Sequence, residues 1–102
     1  MKIKVFHAAF ETTPVHIATV QAPHDATSAE SAAEYAYRWT QNIMDSWSLK
    51  MPEDGNDAVT VMGDISDGYG LRSTSVGDQI LVGTEKYVVA RMGFETLDGE
   101  PV

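Results

Sequence analysis

A single stretch of helical periodicity, flanked on both sides by strand-forming runs, decides most of what this chain can become. Ala29, Ala32, Ala33, Ala36, Trp39, Ile43 and Trp47 recur at the i, i+3, i+4, i+7 spacing of one helix face. Thr27-Ser28-Ala29-Glu30 reads as a capping box, in which the Thr27 hydroxyl and the Glu30 carboxylate satisfy orphan N–H groups reciprocally. The pattern predicts one helix running to about Ser46. Alanines fill its first two turns and large side chains its last two. The N-terminal half can thus approach a sheet closely while the tryptophan end plugs a wider gap. Glu30 and Glu34 near the start also suit the helix dipole.

The flanking runs supply the sheet. Residues 2–10 (KIKVFHAAF) and 15–20 (VHIATV) are rich in β-formers, and Glu11-Thr12-Thr13-Pro14 between them predicts a four-residue hairpin loop. Phe6 and Phe10 fall on one face of the first strand, Ile3 and Val5 on the other. Residues 58–62, 79–82 and 87–90 are three further strand candidates, and residues 50–57 and 63–70 read as loops. Gly83-Thr84 favours a type II′ turn, because glycine supplies the positive φ at its first central position. The expected order is β-β-α-β-β-β. It implies an α+β domain over residues 1–97: an antiparallel sheet of about four to five strands with one amphipathic helix packed on one face. Residues 98–102 read as a frayed tail.

Composition narrows the chemistry. The 102 residues suit one domain, and 43% hydrophobic with 22% charged residues is ordinary for a globule. With no cysteine, disulfides, thiolate metal sites and a cysteine nucleophile are excluded, which suits a reducing cytoplasm. No apolar run approaches the roughly 20 residues that span a bilayer, and the N-terminus lacks the apolar core of a secretory signal, so no membrane partner is expected. Seven basic against fifteen acidic residues give a net charge of −8, which repels nucleic acid unless a basic patch is hidden. Lys2, Lys4, Arg38, Lys50, Arg72, Lys86 and Arg91 are scattered singly, so no such patch and no direct nucleic-acid binding is expected.

Catalytic signatures are missing. G-x-S-x-G, the phosphate-binding loop and H-E-x-x-H do not occur, and no histidine follows residue 24. The reading is therefore of a non-enzymatic protein without cofactor or metal. If Phe10 pairs with Val15, His7 and His16 become diagonal neighbours on one sheet face, a possible start of a metal site with Glu11; a one-residue slip destroys it. Five acids and no base occur from Glu53 to Asp67 (Glu53, Asp54, Asp57, Asp64, Asp67). Asp64 to Gly68 is similar to part of a calcium loop but lacks its spacing and closing glutamate. The ordinary reading of this stretch is a solvated loop; the functional one is an anionic contact surface or DNA mimic. Tyr35 and Tyr37 flank the helix stripe, where tyrosines pack against a core or meet a protein partner.

Arg72 to Leu97 reads RSTSVGDQILVGTEKYVVARMGFETL. It resembles a segment of small uncharacterised proteins of actinobacterial phages and mobile elements, in which R-S-x-S-V-G-D leads through a hairpin to G-[FW]-x-x-[LI]. Arg72, Ser73, Ser75, Val76, Gly77, Asp78, Tyr87, Gly93, Phe94 and Leu97 carry the match, with Gly83-Thr84 replacing the usual Asp-Gly turn. The resemblance implies a phage-like source and expression in a host cytoplasm. It implies no activity. The residues have a physical reading as well: Val76-Gly77 fits a type II turn, Asp78 can accept backbone N–H groups, and Arg72 can pair with Asp78 across the turn. The expected role is an accessory protein that binds and modulates a host protein, with Tyr35, Tyr37, the acidic stretch and Arg72 as candidate contacts. The alternative is an acidic DNA-mimic inhibitor of a host defence or DNA-processing protein.

Overall fold

A computed structural model describes residues 2–102. Alternating side chains make Lys2–His7 (β1) a half-buried strand, with Ile3, Val5 and His7 inward and Lys2, Lys4 and Phe6 outward. It pairs with Val15–Gln21 (β2), then the chain forms Ala29–Arg38 (α1), Val59–Val61 (β3), Gln79–Val82 (β4), Glu85–Val89 (β5) and Phe94–Thr96 (β6). All six strands join one sheet, in the spatial order β3-β2-β1-β4-β5-β6, and every pairing is antiparallel. Among the described residues the architecture is α+β with a single helix. It has six strands rather than four to five, because Phe94–Thr96 pairs with the end of β5 and extends the edge.

The hairpin register differs from the expected one. His7, not Phe10, lies opposite Val15, and Ile17 is the extra residue of a bulge between the Val5–Ala18 and Phe6–His16 pairs. His7 therefore points into the core while His16 packs against Phe6 on the other face, with ring centroids 5.2 Å apart. The metal pair is lost with the register. Among the described residues no three or more potential ligands of this kind converge.

The helix is shorter than its stripe. Ser28, not Thr27, is the N-cap, and its hydroxyl accepts from Ser31 N while Ser31 Oγ accepts from Ser28 N, so serine replaces glutamate as the reciprocal partner. Ala32, Ala33 and Ala36 are buried against β1 and β4, as close packing on a sheet requires. The helix ends at Arg38, where Thr40 donates its hydroxyl back to the Ala36 carbonyl. Ile43 is consequently exposed, while Trp47 reaches the core from the following loop.

Both glycine turns form. Gly83 takes φ 62° in the two-residue β4–β5 loop and Thr84 does not share its positive φ, consistent with type II′. Gly77 takes φ 97°, and Asp78 N donates to Ser75 O at 2.9 Å, closing the Ser75–Asp78 turn. Residues 98–102 turn back instead of trailing away: Thr96 N donates to Glu100 O, Val102 N donates to Phe94 O, and Glu95 bridges Pro101. No helix among the described residues is long and apolar enough to cross a membrane.

Candidate functional site

Asp78 sits at the entry to β4 and joins that strand to the end of β1. Its side chain is fully buried and accepts five hydrogen bonds of 2.7–2.9 Å, from the Ala8, Ala9 and Ser75 amides and from both terminal nitrogens of Arg72. Burial alone would raise its carboxyl pKa; Arg72 and the amides outweigh that and hold it down to about 2. Arg72 also donates to Glu11 at 2.9 Å, and its guanidinium lies 4.9 Å from the Phe10 ring centroid. The pairing expected from sequence thus exists, and it recruits a second loop.

A hydroxyl chain continues the node inward. His7 Nε2 lies 3.2 Å from Thr74 Oγ1; Thr74 donates to Thr40 Oγ1 at 2.8 Å, and Thr40 to the Ala36 carbonyl. The Thr74 proton is engaged onward, so Nε2 must carry a proton to complete the chain. Desolvation lowers the His7 pKa, with Asp78, 3.9 Å away, opposing. The 71–75 segment is tied further to the post-helix loop by Trp47 Nε1 donating to Arg72 O, Asn42 Nδ2 to Leu71 O and Gln41 Nε2 to Thr74 O.

This rigid node organises one end of the sheet. The β1–β2 loop, the turn before β4 and the β5–β6 turn all lie there, because β1 and β5 end and β2, β4 and β6 begin at that edge. Each projects an apolar side chain: Phe10 is 77% exposed, Val76 51% and Met92 91%. Val76 and Met92 line one open groove of about 510 Å³ with Val88, Val89, Arg91 and Glu95. The Phe10 loop abuts the Val76 turn so closely that a Cβ on Gly77 would lie 3.2 Å from Ala9 Cβ. Ring-on-guanidinium packing holds Phe10 in place while leaving it in solvent.

The residues singled out from sequence are placed differently from one another. Arg72 is committed inside the node. Asp54 is buried, accepting from Met44 N and Asp45 N and pairing with Arg38, so it leaves the acidic surface. Glu53, Asp57, Asp64 and Asp67 are exposed, the last two capping their own turns through Ser66 N and Tyr69 N. Tyr35 and Tyr37 pack against the core, Tyr35 with its hydroxyl on Asn56 Nδ2 and Tyr37 edge-on to Phe94.

Sequence reasoning missed Phe10, Val76 and Met92; an aromatic beside the polar run 11–14 and a methionine next to Gly93 were the available signals. It also missed a basic face. Lys4 and Lys86 both lie opposite Leu81, so they share the helix-free face with Lys2. No protein-family profile, curated protein or solved structure matches this chain.

Proposed function

We propose that this chain is a non-enzymatic accessory protein of phage type that binds a host protein through the loop edge of its sheet. The observation that carries the binding reading is the set of exposed apolar side chains at one end of the sheet: Phe10 and Val76 on loops fixed by the Arg72–Asp78 node, and Met92 on the neighbouring β5–β6 turn. Apolar groups held rigidly in solvent are the form that protein-contact anchors take, since little ordering entropy opposes their burial. The phage-type source rests on the Arg72–Leu97 resemblance. Under this reading Arg72 orders the contact loops and does not itself touch the partner.

Affinity capture from an actinobacterial lysate tests the reading. The wild-type chain is expected to retain one host protein at high salt, and Phe10→Ser combined with Met92→Ser to lose it at unchanged melting temperature. A lysate yielding no specific partner, or a partner indifferent to the double substitution, would overturn the proposal.

A DNA-mimic reading draws on the four exposed carboxylates at Glu53, Asp57, Asp64 and Asp67 and on the charge of −8. It predicts a partner displaced by DNA and released by salt. Burial of Asp54 removes one charge from that surface.

A further inference from the structure

The face of the sheet opposite the helix gathers charge of the sign in which this chain is poor. Of the seven basic side chains, Arg72 is bound by Asp78 and Glu11, Arg38 pairs with Asp54, and Lys50 donates to the Asn56 and Val59 carbonyls. Among the described residues Lys2, Lys4, Lys86 and Arg91 have no ion-pair partner. Three of these four lie on the open face. Cross-strand pairing puts Lys4 and Lys86 on either side of Leu81, about 10 Å apart at two strand spacings, with Lys2 two residues from Lys4. The next row holds His16, Phe6, Gln79, Val88 and Glu95, so one carboxylate faces three ammonium groups. Phe6, Leu81 and Val88 are half-buried, leaving apolar surface between the charges.

We infer that this open face docks an acidic protein segment whose glutamates or aspartates meet Lys2, Lys4 and Lys86 and whose apolar side chains rest on Phe6, Leu81 and Val88. Charge complementarity selects the occupant. A second copy of the chain meeting face to face would set lysines against lysines. Single-stranded nucleic acid needs free ring faces for successive bases. Among the described strand residues Phe6 is the only ring besides His16 on the face; Lys86 Nζ stands 5.1 Å over it and His16 packs beside it. Every nucleotide would also add a charge repelled by the remaining acidic surface. An acidic segment with interspersed apolar residues brings fewer charges and uses the surface between the lysines.

The inference deepens the protein-binding reading and rests on it, but its test needs no host partner. Fluorescence anisotropy on the purified full chain would compare a labelled peptide of Glu-Glu-Leu repeats, a Gln-Gln-Leu control and oligothymidine of the same charge as the acidic peptide. The acidic peptide is expected to bind tightest, to weaken with salt, and to lose about tenfold or more in affinity when Lys4→Glu and Lys86→Glu are combined. Lys4→Arg with Lys86→Arg should hold the wild-type affinity, and melting curves confirm that each variant folds. Equal binding of the control peptide, or affinity untouched by charge reversal, overturns the assignment. Tighter lysine-dependent binding of oligothymidine overturns it in favour of nucleic acid. Lysate capture that fails while the peptide binds would count against the loop edge alone.

Discussion

At the residue scale the chain turns on Asp78, whose carboxylate serves the loop backbone just past β1, the backbone of its own turn and the side chain of Arg72 together. Removing Arg72 leaves a buried carboxylate on its amides alone, so Arg72→Ala should cost about 3–5 kcal/mol in urea unfolding. Arg72→Lys should recover only part of that, because an ammonium cannot reproduce the two-pronged contact. The pH dependence has a definite sign. Asp78 titrates near 2 when folded, below an ordinary carboxylate, so the unfolded chain takes up its proton first. The stability it contributes is complete above the ordinary carboxylate range and is lost as pH falls toward that folded value. His7 is also lowered, by desolvation, so acidification penalises the folded state there too, beginning nearer neutrality. Urea midpoints across acid pH should therefore fall in two stages. His7→Gln should remove the upper stage, and Asp78→Asn, though less stable throughout, should make the lower one shallower, leaving the share of Asp54, Glu11 and Asp64, whose carboxyls are lowered as well.

At the scale of elements, the two glycine turns make a paired comparison. Both glycines adopt positive φ, which costs an L-residue roughly 1–2 kcal/mol. A Cβ at Gly83 meets nothing within 4 Å, whereas one at Gly77 presses on Ala9. Thermal unfolding should accordingly show Gly77→Ala as the more damaging substitution and Gly83→Ala as the milder. These turns were legible because a glycine's conformational requirement is local. Strand β4 was legible for a similar reason: Ile80 and Val82 alternate inward beside a recognisable turn. The helix end was not. Its apolar period continues to Trp47, but side chains take the backbone groups that a longer helix would use: Thr40 donates to Ala36 O in the last turn, Asn42 accepts from Trp47 N, and Asp54 accepts from Met44 N and Asp45 N. Asp54 lies far along the chain, so no local pattern announces its part. The exposed apolar end of the sheet was hidden in the same way, since Phe10, Val76 and Met92 come to one end only after the strands are ordered.

At the scale of the whole molecule, strand order converts singly scattered lysines into a face. Insertion of β4 beside β1 brings Lys86 within reach of Lys4, and neither residue's neighbours in sequence foretell it. The same order makes the basic face continuous with the apolar edge, because Val88 belongs to both: it lies between Gln79 and Glu95 on the open face and lines the groove with Val76 and Met92. One partner crossing that junction would place apolar anchors on the edge and carboxylates over the lysines. Val88→Glu tests the continuity. It sets a carboxylate beside Glu95 at the junction, where like charges repel each other and any acidic segment. Acidic-peptide affinity and host-protein capture should then fall together, with the melting temperature used to separate misfolding from lost contact. A fall in one readout alone would mean two independent surfaces. Capture that persists while peptide binding drops would confine the host contact to Phe10, Val76 and Met92.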